Sequence, residues 1–334
     1  MPKNFLQTDL KRCFDSLGQE LACQGTLQDG ELQLGERIPQ PRFLAASSKG
    51  LVLDQTTGLY WLKSSDLFQF PLSWEEALQA VQALNQEAYL GRTDWRLPNR
   101  RELRSLICHG ASKPALEAGH PFQGLQQTWY WTSTSSAMYP AYAWYVHFAG
   151  GRMFWGAKDN FYMLWPVCGS SQVLAATGQI SCFNTRGREI EPQGQGQDGE
   201  LQMGLPWPQP RFQELEQGIW DRLTDLVWAR TADLAGAMNW EQALQAINEL
   251  NPGLDPEGWH LPNINELESL VDAHEHTPAL TSGHPFLDVQ EVYWSSTSSM
   301  FEPDWGLALY MHKGAVGVGH KPGAEFYVWP VRCV

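Results

Sequence analysis

The strongest constraint on this chain is that it repeats itself. From Cys13 it runs CFDSLGQELACQGTLQDGELQLGERIPQPRF, and from Cys182 it returns as CFNTRGREIEPQGQGQDGELQMGLPWPQPRF. GLVLDQTTGLYW is matched by GIWDRLTDLVW, LSWEEALQAVQALN by MNWEQALQAINELN, and DWRLPNRRELRSL by GWHLPNINELESL. PALEAGHPF returns as PALTSGHPF and YWTSTSS as YWSSTSS, while FYMLWPV and FYVWPV close the two copies. Self-similarity at this period sets the architecture before any single residue is considered. With 334 residues there is chain enough for two domains, each with its own core. The expected division is a first domain at 1–168 with its leader segment, a linker GSSQVLAAT at 169–177, and a second domain at 178–334.

Matched positions show what the fold retains. Trp74, Ala77, Leu78, Val81 and Leu84 fall at i, i+3, i+4, i+7 and i+10, and Trp240, Ala243, Leu244, Ile247 and Leu250 repeat the stripe. That is one face of an amphipathic helix, and core packing accounts for it. Asn99 with Glu102, and Asn263 with Glu266, have capping-box spacing after Leu-Pro. Capping explains this Asn and Glu pair without catalysis. The alternating segment 130–135, its partner from Tyr293, 144–148 and the closing 161–167 read as strands. Short strands, two helices, then more strands predict an α+β domain, with two helices packed on short antiparallel strands.

Charge and cysteine narrow the function classes. Residues 1–168 carry 15 Lys and Arg against 15 Asp and Glu, and residues 169–334 carry 8 against 22. One half is neutral and the other repels phosphate, so nucleic acid is not the expected partner. No apolar run is long enough to cross a bilayer, and MPKNFLQTDLKRC lacks the apolar core of a secretory signal. The chain as written is expected to be cytoplasmic, and exported if a leader has been removed. Among Cys13, Cys23, Cys108, Cys168, Cys182 and Cys333 only Cys13 and Cys23 could form a local disulfide. Pro192 stands at the Cys23 position of the second copy, so the fold is not expected to require that bond, and its oxidation state stays open.

Chemistry-bearing motifs are sparse. His274-Glu275-His276 lacks a third ligand in zinc spacing, and His120 and His284 recur only within a Gly-His-Pro-Phe turn, where a hydrogen bond explains them. Glu302 and Asp304 are matched in the first copy by Tyr139 and Ala141, which cannot hold calcium. Neither a nucleophile elbow nor a phosphate loop is present. The expectation is a non-enzymatic protein with no metal and no cofactor.

The ordered set G-L-x-W, W-x-x-A-L, W-x-L-P-N-x-x-E-L-x-S-L, Y-W-[ST]-S-T-S and a closing W-P-V resembles the C-terminal domain of Legionella collagen-like proteins, twice over nearly the whole chain. The G-Q-D-G and P-R-F segments at 195–199 and 210–212 resemble a leader region common in that family. The resemblance implies a C-type-lectin-like fold and, in its best-known members, adhesion to sulfated polysaccharides. That fold also carries formylglycine-generating oxidases, whose reactive cysteine pair is lacking in both closing segments. Two functions follow. One is a binding protein that displays variable loops on two lectin-like domains to a glycan or a protein. The other is a cytoplasmic structural or regulatory subunit that binds partner proteins with no carbohydrate role.

Two surfaces are candidates. Residues 137–162 carry nine aromatics against five in 300–327, and the copies are expected to lose register between Ser136/Ser299 and Phe161/Phe326. Divergence between fixed strands points to surface loops, with Trp144 matched to Trp305 as core. The contact candidates are Tyr139, Tyr142, Trp155, Lys158 and Asp159 in the first copy, and Phe301, Glu302, Asp304, His320 and Lys321 in the second. The other surface is the basic cluster Arg92, Arg96, Arg100, Arg101 and Arg104, expected either as a solvated helix face or as a dock for an anionic surface, the acidic second domain included.

Overall fold

The computed structural model describes residues 5–46, 48–251 and 258–334. They form two compact units, one of Arg37–Ile107 with Ala111–Pro206, the other of Met1–Glu36, Cys108–Gly110 and Trp207–Val334. Each unit therefore combines the body of one copy with the leader of the other. This departs from the expected boundaries at 168 and 178. A repeat defines a period but no phase, so sequence matching cannot say which leader completes which body. The expected linker is corrected as well. Ser171, Leu174, Ala175 and Thr177 are buried, and Ala175 bridges to Leu205 as Leu6 does to Glu36.

In the first unit, Phe43–Ala45, Leu51–Asp54, Tyr60–Leu62 and Val167–Cys168 make an antiparallel sheet in that order. Buried Arg42 holds Asp54 through two hydrogen bonds of 2.9 and 2.7 Å and donates a third, of 2.6 Å, to the Ser105 carbonyl. The Arg of the P-R-F motif thus ties the sheet to the end of the second helix. The first helix, Trp74–Gln86, starts at a Ser73/Glu76 capping box and buries the predicted stripe. The second, Arg100–Ser105, starts at the expected Asn99/Glu102 box. Trp129–Ser135, Tyr142–His147 and Met153–Ala157 then pair antiparallel in succession. Trp165, its indole N–H donating to the Leu62 carbonyl, packs edge-on against Phe122 at 4.7 Å and closes the core. Of the predicted closing strand only Val167–Cys168 is regular, with single bridges at Tyr162 and Met163.

The second unit repeats this with Phe212–Leu215, Gly218–Asp221, Leu226–Trp228 and Val331–Cys333, helices Trp240–Glu249 and Ile264–Ser269, and strands Val292–Ser298, Trp305–Tyr310 and Ala315–His320. Arg211 and Asp221 repeat the buried ion pair. Leu250, expected at the end of the apolar stripe, lies past the helix and is exposed. The fold is mixed helix and mostly antiparallel sheet in two copies. No helix among the described residues is long and apolar enough to cross a membrane.

The Ser/Thr strand is where body and leader join. It slips register between Trp131 and Ser135, and between Trp294 and Ser298. In this bulge two extra residues free backbone groups from the ladder. The Thr132 carbonyl accepts the Trp74 indole N–H, and the Ser133 N–H donates to the Pro98 carbonyl. The Thr134 hydroxyl accepts from the Arg100 N–H and donates to Asp198 of the leader at 2.6 Å. Ser295, Ser296 and Thr297 do the same, with Asp29 as the leader carboxylate.

Candidate functional site

Each leader is a two-residue-per-strand hairpin followed by a four-residue helix, Cys13–Phe14 with Glu20–Leu21 then Asp29–Leu32, or Cys182–Phe183 with Glu189–Ile190 then Asp198–Leu201. Neither is large enough to be stable alone. The Gln28 side chain clamps the N–H and C=O of Phe14, and Gln197 those of Phe183. The structure contains a Cys13–Cys23 disulfide in one leader, where the sequence left the thiols open, while Cys182 is free.

The acceptor face of each body is built from side chains that address leader backbone. The Asn99 amide, besides capping its helix, donates to the Met203 carbonyl at 3.0 Å, and Asn263 to that of Leu34 at 3.2 Å. Ser or Thr would cap as well, but with one shared hydroxyl in place of a separate acceptor and donor. Lys158 and Lys321 are fully buried, each ammonium 4.0 Å from the ring centroid of Trp74 or Trp240. Lys158 donates to the Phe183 carbonyl at 3.0 Å. Lys321 donates to the Phe14 and Asp15 carbonyls at 3.3 and 3.2 Å and to the Ser298 hydroxyl at 2.8 Å. Burial pulls both lysines down to about 7. It pushes Asp29 up to about 7 and Asp198 up to about 6.

Both lysines were candidate ligand contacts, and the structure removes them from that role. The expected loss of register does not occur within the strands and is confined to a single residue after Lys158 and Lys321. Ser135 pairs with Ala143 and Ser298 with Gly306, and Tyr142 pairs with Ala157 as Trp305 does with His320. Trp305 therefore stands at the Tyr142 position, not at that of Trp144, whose counterpart is Leu307. Lys158 and Lys321 are equivalent. The extra residue in the second copy falls after Lys321, before Phe326, which bridges Met238 as Tyr162 bridges Leu72. Divergent residue types on an unbroken register had the look of a lost register.

The remaining first-copy candidates come together as an aromatic shelf. The Tyr139 and Tyr142 side chains are exposed, by 52% and 38%, and Trp155 is partly exposed. Tyr139 lies nearly parallel to Trp155 (27°, centroids 6.3 Å apart) and 5.9 Å from Tyr142, and Trp155 rests edge-on against buried Trp144 at 5.3 Å. The Ser136 hydroxyl accepts from the Tyr139 N–H, and the Tyr142 N–H donates to the Tyr139 carbonyl, which fixes the turn. Leader residue Gly187 backs it. A Cβ there would stand 2.8 Å from the Ala141 nitrogen, and φ is +74°, so the position requires glycine. Asp159 is exposed close by in sequence. In the second unit Glu302 and Trp305 take the places of Tyr139 and Tyr142, and Val318 that of Trp155. Glu302 is exposed and Phe301 partly buried. Asp304 and His320 approach to 3.6 Å, and the His320 ring lies 5.3 Å from Trp305. The two surfaces differ in chemistry.

The basic cluster is not an external docking face. Arg96, Arg100 and Arg104 are buried. Arg96 holds Glu102, Arg100 lies 4.3 Å over the Trp144 ring, and Arg104 donates to the Gly151 carbonyl. Arg92 pairs with Asp94, and Arg101 is partly exposed. Helical spacing does not distinguish an arginine facing solvent from one folded inward. His120 and His284 pack beside Phe122 and Phe286, with each Nδ1 buried and without a hydrogen-bond partner, so the expected turn hydrogen bond at that atom is not made. Among the described residues no three His, Cys, Asp or Glu are grouped to hold a metal.

The family model of the Lcl C-terminal domain matches residues 50–168 and again 217–332, the two bodies without their leaders. No curated protein and no solved structure matches the chain.

Proposed function

We propose, for a chain that belongs to the Lcl C-terminal domain family in both of its copies, a non-enzymatic binding function in which Tyr139, Tyr142 and Trp155 receive a neutral glycan. On this reading the bodies are variants of the C-type-lectin-like fold, and the first is the one adapted to sugar. The observation that carries it is the stacked, solvent-facing trio itself. Aromatic faces suit the C–H face of a pyranose, and tyrosine adds a hydroxyl for the sugar's own. The burial of Lys158 and Arg100 argues for a neutral ligand over a sulfated one. Lys158 is buried against Trp74 and Arg100 beneath Trp144, so neither offers a cation to a sulfate. The acidic second unit, with 9 Lys and Arg against 24 Asp and Glu, argues the same way.

Covering one ring face contributes roughly 1 kcal/mol at about 25 cal/mol per Å². Three rings then correspond to a Kd of roughly 6 mM. The test is a titration of the whole chain with neutral oligosaccharides, followed by NMR, beside Tyr139→Ala/Tyr142→Ala. The double variant should lose binding with little change in melting temperature, because both rings are exposed. Equal binding by the double variant, or a response confined to sulfated glycans, would defeat the reading.

A further inference from the structure

We propose that leader docking is exchangeable between molecules, so that residues 5–36 of one chain seat on the second body, 207–334, of another copy. Roughly 170 residues separate this leader from the body it completes, and it continues directly into the other unit. Noncovalent contacts alone decide which molecule's body it occupies.

The acceptor face reads features that both leaders share. Thr297 takes Asp29 as Thr134 takes Asp198. Lys321 and Lys158 take the carbonyls of Phe14 and Phe183, and Asn263 and Asn99 those of Leu34 and Met203. Gly18 packs on Asp304 as Gly187 packs on Ala141. Most of these contacts address backbone, and two leaders of different sequence are held in the same way. Each face recognises its leader through contacts that any copy of that leader would make, so it has no means of rejecting the same leader from a second chain. The leader's short hairpin and single helical turn make it an undocked coil or a docked structure, with little between.

Within one molecule the tether supplies a high effective concentration, and closure wins in dilute solution. Between molecules the contact is heterologous, donor leader on acceptor body, and propagates as closed rings or open rows.

The test is complementation between two full-length variants. Gly18→Val places a branched side chain against the Pro303–Asp304 backbone and disables the donor. Lys321→Glu turns a carboxylate toward the Phe14 and Asp15 carbonyls and disables the acceptor. Each variant alone should sediment as a monomer, and an equimolar mixture should give a species of twice the mass. As a second arm that needs no variant, wild-type chain is denatured and refolded at rising concentration, and the dimer fraction should rise with it. A mixture that stays monomeric, with wild type that refolds to monomer at every concentration, overturns the proposal.

Discussion

The titrating groups buried in the second unit's joint make leader docking weakest near neutral pH. Lys321 has an ordinary value of 10.5 and is pulled to about 7 by burial, so between those values the undocked state binds more protons. Docking there strengthens as pH rises, by up to about 1.4 kcal/mol per pH unit. Asp29 is pushed from 3.8 to about 7 by burial, partly offset by hydrogen bonds from Thr297 and Thr8, so between those values the docked state binds more protons. Docking there weakens as pH rises, at a similar slope. The two limbs meet near pH 7, and each spans about 4 kcal/mol, as an order of magnitude. This joint suits the test because Cys13 is held in a disulfide, whereas Cys182 has a titratable thiol near Lys158. Hydrogen-exchange protection of peptides within residues 5–36, corrected for intrinsic rate, should pass through a minimum near pH 7. Lys321→Met should remove the alkaline limb alone, and Asp29→Asn the acid limb alone. Asp15 and Asp304 beside Lys321, and Glu266 and His260 beside Asp29, cancel in the comparison. An alkaline limb that survives in Lys321→Met would refute the reasoning.

Arg42→Ala or Arg211→Ala leaves a buried carboxylate without its partner and should cost about 3–5 kcal/mol in denaturant unfolding, whereas a surface pair such as Arg230–Glu214 should cost under about 1 kcal/mol. Cys13→Ser opens a ten-residue separation and should lower the protection of leader residues 5–36 by about 2–3 kcal/mol, leaving residues 174–205 unchanged. Equal loss in both leaders would show that the bond acts beyond its own hairpin.

What the sequence disclosed follows from what periodicity encodes. The Trp74 and Trp240 stripes and the Asn caps are local patterns, and they appear as expected save at Leu250, which lies past its helix. Leader exchange has no local signature, because either pairing of leader with body satisfies the same repeat. Lys158 and Lys321 were discoverable. They lie at matching distances from Ser136 and Ser299, and a lysine kept inside a divergent stretch signals a fixed role. The aromatic surplus of residues 137–162 did locate the shelf, but only the strand register separates its exposed rings from Trp144 beneath. The arginines misled because a long side chain on a six-residue helix can reach the interior from a polar-looking face.

The central claim is that each body is completed by the leader of the other copy, and expressing two segments of similar length tests it most directly. Residues 37–206 contain the first body and the leader that docks on it, whereas residues 1–168 contain the same body with the other leader in front. Residues 37–206 should be a folded monomer with cooperative unfolding and full near-ultraviolet dichroism. Residues 1–168 should give no folded monomer and be either disordered or paired through their leaders. A folded, monomeric 1–168 beside a disordered 37–206 would contradict the claim.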